Sequence, residues 1–224
     1  MSNNKPSILY IHTTALDSTK ANIIQVVSMC NAFSNLGHSV TLATPTFNEN
    51  IDIEKYIHNN FDFFPKFKLI LYKKTFKNER LEKYLGGKEL KKLIKNHQVD
   101  YVFLRSPKFL KTALDCGKRV IFESHNNKIH EKIRIIDFYW KYMLKKNIKN
   151  NNFILFIAIS KNLLDFWKDL GIPERKLLSL HDGFNEHAFN EIIEKDAARR
   201  NLDLPLDKII VTYSGSLYKN RNIS

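Results

Sequence analysis

Short runs of apolar residues alternate along the chain with longer stretches in which apolar positions recur about every 3.6 residues. The runs predict strands at residues 8–11, 40–44, 68–72, 101–104, 119–122, 153–159 and 177–180. Between the first two, Ile23, Val26, Val27, Cys30 and Phe33 fall on one helical face, Ser18 or Thr19 can cap its start, and Gly37 stops it. That is a βαβ unit. Helical spacing returns over residues 79–96, 108–116, 129–149 and 161–170. Nearly all-apolar strands need cover on both faces, so the pattern predicts an α/β fold built on a doubly wound, Rossmann-like parallel sheet. Such sheets bind ligands beyond the carboxyl ends of their strands. The loops that begin at His12, Arg105, Glu123, Ser160 and His181 are therefore where chemistry is expected.

The carboxyl end reads differently. A charged helical segment over residues 186–200 follows Asp182-Gly183-Phe184-Asn185, and then comes a linker ending at Asp207. A new apolar run at 208–213 predicts one more strand, which opens into a turn reaching Ser224. A single strand and turn cannot bury their own apolar faces. The expected organisation is a first domain over 1–187, a connector over 188–207, and the first strand and turn of a second, truncated α/β domain over 208–224.

Charge refines the picture. The chain carries +13 overall, but residues 63–149 hold 23 Lys and Arg against 8 Asp and Glu, which leaves the remainder at −2. Within that segment, residues 63–74 and 128–149 interleave aromatics with lysine. The stretches are Lys-dominated and Arg-poor, without an RNA-binding signature, and fit an anionic membrane surface at least as well as nucleic acid. No apolar run approaches the roughly 20 residues of a membrane span, and the first apolar run, Ile8–Ile11, is too short for the apolar region of a secretory leader, so a cytoplasmic protein is expected. Cys30 and Cys116 lie in apolar helical stretches and read as buried thiols, not as a disulfide or zinc pair. The histidines show no metal-type spacing, so no metal site is expected. Trp140 and Trp167 fall on apolar helix faces and are expected to pack in the core.

Three segments carry a family resemblance. Tyr10-Ile-His-Thr-Thr14 followed by Val26-Val-Ser-Met-Cys-Asn-Ala-Phe-Ser-Asn-Leu-Gly-His-Ser-Val-Thr-Leu42 resembles the opening βαβ of retaining GT-B glycosyltransferases, the family-4-like group. Phe156-Ile-Ala-Ile-Ser-Lys161, Leu170-Gly-Ile-Pro-Glu-Arg-Lys176 and Asp182-Gly-Phe-Asn-Glu-His-Ala-Phe189 are similar to the close of that group's acceptor domain. Tyr213-Ser-Gly-Ser-Leu-Tyr-Lys-Asn-Arg-Asn222 is similar to the entry into its donor domain. The resemblance implies the acceptor half of a GT-B fold. It also implies transfer of a sugar from a nucleotide-diphosphate sugar, the substrate, to a cell-envelope or lipid-linked glycan, with no cofactor.

Retaining transfer needs charge stabilisation at the departing diphosphate and hydrogen-bonding groups around the sugar. By the resemblance, His125, oriented by Glu123, is the group beside the sugar, with Asn126 next to it. Thr13 and Thr14 are expected in the turn facing the diphosphate, where many relatives have a Gly-Gly pair. Ser216 and Arg221 match donor-side phosphate positions, Arg221 standing for the more usual Lys and Asn222 for Gly. Arg105, Ser106, Ser160, Asp182 and Gly183 are expected to line the acceptor cleft. With most of the donor side absent, the chain is expected to be inactive alone unless a partner chain supplies that domain. A non-catalytic basic domain that binds anionic membrane or nucleic acid is the alternative reading.

Overall fold

The structure, a computed structural model, describes residues 5–17, 21–46, 52–61, 63–74, 76, 86–127, 134–183 and 193–213. All seven strands expected in the first 183 residues form: β1 Ser7–Ile11, β2 Ser39–Pro45, β3 Lys68–Tyr72, β4 Tyr101–Leu104, β5 Arg119–Ser124, β6 Phe153–Ala158 and β7 Leu177–Ser179. They make one sheet in the order β3-β2-β1-β4-β5-β6-β7, and every pairing is parallel. The order reverses between β1 and β4. That is the topological switch point at which the flanking loops part and leave a crevice.

The helices are α1 Ala21–Asn35, α2 Ile53–Phe61, α3 Lys88–Asn96, α4 Leu110–Asp115, α5 Arg134–Asn147, α6 Lys161–Asp169 and α7 Lys195–Asn201. On α1 the buried residues are Ile23, Val26, Val27 and Cys30, the face read from the sequence. Gly37 ends it with φ +89°, a left-handed conformation that costs other residues strain, while His38 N–H closes back onto the Phe33 carbonyl at 3.1 Å. The caps proposed at Ser18 and Thr19 lie outside the described residues. Helix α2 was not anticipated, because Ile-Glu-Lys-Tyr-Ile-His-Asn-Asn-Phe buries only Ile57 and offers too sparse an apolar stripe. The segment expected to be helical from Lys108 begins instead as a 3₁₀ turn, Pro107–Phe109, which leads into α4.

Two apolar clusters lie on opposite faces of the sheet. Along β1, Ile8 and Tyr10 point to the cluster that includes α1 and Ile57 of α2, while Leu9 and Ile11 point to the one built with α3, α4, α5 and α6. This two-sided burial explains why the strands read as unbroken apolar runs. Trp167 sits in the second of these clusters, fully buried, with its indole N–H donating to Ser124 Oγ at 3.1 Å. Trp140 is only half-buried and Cys116 likewise, so neither is the core residue the sequence suggested.

Contacts divide the chain into a unit of residues 1–183 and a unit of residues 184–224. In the latter, Glu194 caps α7 by accepting from the N–H groups of Asp196 and Ala197, and Arg199 donates to the carbonyls of Leu206 and Lys208. Residues 208–213 do not form the expected strand. Ile209 and Val211 are almost fully exposed, and no neighbouring strand among the described residues offers this segment a ladder.

Candidate functional site

Four strand ends deliver side chains to the crevice at the switch point. β1 contributes His12, β4 contributes Arg105, β5 contributes Glu123 and His125, and the segment after β7 contributes Asp182; α1 adds Asn22 and Gln25. The strands are parallel and in register, so their carboxyl ends lie side by side, and residues a hundred positions apart become neighbours.

Glu123 is 2% exposed and is the hub of the cluster. It hydrogen-bonds His125 Nε2, its carboxylate lies 3.5 Å from Arg105 Nε, and it accepts from the Gln25 amide at 3.5 Å. A buried carboxylate requires such compensation. Arg105 Nη2 also meets His125 Nε2 at 2.5 Å, and Nη1 donates to the Asn22 carbonyl at 3.5 Å. His125 Nε2 thus stands between a carboxylate that accepts and a guanidinium that donates. The ring can accept from Arg105 as the Nδ1–H tautomer or donate to Glu123 as the Nε2–H tautomer. Gln25 bridges onward to Asp182 Oδ1.

His12 begins one of the loops expected to carry chemistry, but the sequence assigned it no role of its own. It is 4% exposed, and both ring nitrogens are buried without a hydrogen-bond partner. Burial first, then the Arg105 charge and the neighbouring His125 ring, lowers its pKa from 6.5 to about 3. At neutral pH it is an uncharged imidazole with one donor and one acceptor uncommitted. Its main chain is pinned: the N–H donates to the Ala43 carbonyl at 2.9 Å, and its carbonyl accepts from Tyr72 Oη at 3.2 Å. Below it, Tyr10 stacks on Phe103 with ring centroids 4.5 Å apart, and burial and the Glu123 charge push the phenol well above its ordinary pKa.

The other expected residues separate into groups. Thr14 is in place, its Oγ1 accepting from Asn22 Nδ2 at 3.0 Å and its carbonyl from Thr44 Oγ1 at 2.7 Å, whereas Thr13 is exposed. Ser106 precedes the 3₁₀ turn and makes no capping bond. Asn126 is exposed, its carbonyl accepting from Ser124 Oγ at 3.0 Å, and Gly183 is exposed too. Ser160 follows the carboxyl end of β6 and has a structural task, its Oγ accepting from Leu163 N–H at 3.3 Å as the N-cap of α6. Ser216 and Arg221 lie outside the described residues.

Glu123, His125 and Asp182 place one potential metal-ligating atom each within 4.8 Å of one another. Arg105 already lies against two of these groups and Gln25 engages the third, so the carboxylates are compensated by protein donors. What the arrangement offers is a wall of donors and acceptors, held by buried charge and suited to hydroxyl or phosphoryl groups. Asn22 and Gln25 had one usable signal in the sequence: they are one helical turn apart beside the apolar stripe of the first helix.

The family model of Glycosyltransferase Family 4 matches residues 24–187. No curated protein matches the chain. Among solved structures, Anabaena HepE in complex with UDP and glucose superimposes with a TM-score of 0.55 at 11% identity, covering 89% of this chain and 50% of its own. Sucrose-phosphate synthase from Thermosynechococcus elongatus gives 0.61 at 13% identity, covering 91% of this chain and 54% of its own. The chain therefore spans about half the length of these structures, and at such identities they establish a shared fold, the Rossmann-like half of GT-B.

Proposed function

Because the chain belongs to glycosyltransferase family 4, we propose that it forms the acceptor side of a retaining sugar transferase that uses a nucleotide-diphosphate sugar and a cell-envelope or lipid-linked glycan acceptor. The observation that carries this reading is the cluster of His12, Arg105, Glu123 and His125 at the switch point of the sheet. HepE, whose fold this half shares, was solved with UDP and glucose. By analogy, His125 hydrogen-bonds a sugar hydroxyl, Glu123 orients it, and Arg105 balances the carboxylate while keeping a positive potential near the phosphates.

Catalysis between two domains needs oriented groups on both walls. Our reading is that these 224 residues transfer little or no sugar by themselves, and that residues 208–224 or a partner chain lead to the donor side. We place the protein at the inner face of a membrane, where lipid-linked acceptors are presented. In support, the positive charge is concentrated in one segment.

NMR titration with UDP-glucose tests the reading. Affinity weaker than about 100 μM, roughly 5.5 kcal/mol, with shifts concentrated at His12, Arg105 and His125, is the expected outcome. Signals of these residues that stay unmoved at millimolar UDP-glucose overturn the site assignment. Affinity tighter than about 100 μM overturns the dependence on a second half.

A further inference from the structure

Helix α5 is apolar on two sides. Leu144 packs in the core, yet Ile135, Phe138, Tyr139 and Tyr142 are 76%, 71%, 51% and 55% exposed. Their spacing of i, i+3, i+4 and i+7 places all four in one stripe on the face turned away from Leu144. A globular protein gains nothing by keeping four large apolar side chains together in water, and a contiguous patch of this kind marks a contact surface.

The surroundings of the stripe select its partner. Exposed Arg134 precedes it, and exposed Lys145, Lys146 and Lys149 follow it. At 100° per residue, Lys146 continues the line of the stripe, Arg134 and Lys145 flank it on one side, and Lys149 lies in the turn just past the helix end. Lys141 is engaged separately, in an ion pair with Asp137 at 2.7 Å. An aromatic and aliphatic stripe edged by cations is complementary to a bilayer with anionic headgroups: rings enter the headgroup boundary while the ammonium groups meet phosphates. The second candidate stretch, residues 63–74, lacks this arrangement. Phe67 is buried and Phe63 packs against the core, which leaves only Phe64 outside.

We infer that the exposed face of α5, through Ile135, Phe138, Tyr139 and Tyr142 with Arg134, Lys145, Lys146 and Lys149 at its edges, docks the protein on an anionic lipid surface. The inference rests on the membrane-side placement proposed above and names its contact surface.

The test is vesicle co-sedimentation of the 224-residue chain, with no sugar or nucleotide present. Vesicles of phosphatidylcholine with 30% phosphatidylglycerol should bind it, and pure phosphatidylcholine should bind at least about tenfold less. Raising salt to about 0.5 M should remove most of the difference. Phe138→Ser with Tyr142→Ser should abolish binding with an unchanged circular dichroism spectrum, because neither side chain supports the core. Lys145→Gln with Lys149→Gln should weaken it about 5- to 25-fold, and Phe138→Trp should preserve it. Equal binding by the serine double variant and the wild type overturns the inference. So does concentration-dependent dimerisation that the serine variant abolishes without any vesicle binding, which would make the stripe a self-association face. Salt-sensitive RNA binding without vesicle binding overturns it as well. Since no transfer is measured, failure here leaves the site at His12 and His125 standing, and failure of the UDP-glucose titration leaves this surface standing.

Discussion

His12→Gln should remove much of the chain's sensitivity to acid. In the folded protein the His12 pKa lies at about 3 against an ordinary 6.5, chiefly because burial opposes the charged ring. The unfolded chain therefore takes up this proton first. Stability from keeping the ring neutral is complete above about pH 6.5 and is lost progressively as pH falls towards 3. At about 1.4 kcal/mol per pH unit the ceiling is about 5 kcal/mol, and between pH 7.5 and 5.0 the loss through His12 alone is about 2 kcal/mol. Glutamine keeps a polar side chain in the same pocket but does not titrate, and the other seven histidines are common to both proteins. Urea unfolding at the two pH values should show the wild type losing about 2 kcal/mol more than the variant, and thermal midpoints should differ by about 4–8 °C more at pH 5.0. Curves that stay parallel to within about 0.5 kcal/mol would refute the claim that His12 is held neutral by burial.

Four further outcomes are expected. In any preparation in which the chain supports transfer, His125→Ala should lower turnover by about two orders of magnitude in protein that circular dichroism shows to be folded; unchanged turnover removes it from the site. Ser160→Ala should cost about 1 kcal/mol in urea unfolding through loss of the α6 cap, while UDP-glucose shifts stay as in the wild type; altered ligand shifts would return Ser160 to the cleft. Trp167→Phe should destabilise by about 1–3 kcal/mol, because Ser124 Oγ loses its indole donor and a small void remains. Gly87→Ala should be costly for its size, at least about 1 kcal/mol, because φ is +85° and the new methyl would lie 2.7 Å from the Phe109 ring; a neutral result by calorimetry would contradict that packing.

How much of the site was legible can be argued from single residues. Glu123 and His125 were visible because a strand that ends in Phe-Glu-Ser-His presents chemistry where a parallel sheet binds ligands. Ser160 shows what the letters leave open: a serine at a strand end and a serine at a helix start read alike, and only the Leu163 N–H contact reveals the capping task. The strand expected at 208–213 had the right composition, but composition cannot supply the neighbour a strand needs.

Local pattern alone determined the seven strands, their parallel arrangement and the crevice region, because a strand buried on both faces and a helix buried on one leave different apolar periods. Tertiary structure decided everything that depends on register and depth. It brought His12 within the electrostatic reach of Arg105 and His125 and left its nitrogens unpaired, ran a bridge from Glu123 through Gln25 to Asp182, and turned Phe138 and Tyr142 to water while burying Phe67. Those outcomes rest on pairings between residues far apart in the chain and on the desolvation that follows from them, quantities that a one-dimensional pattern does not contain.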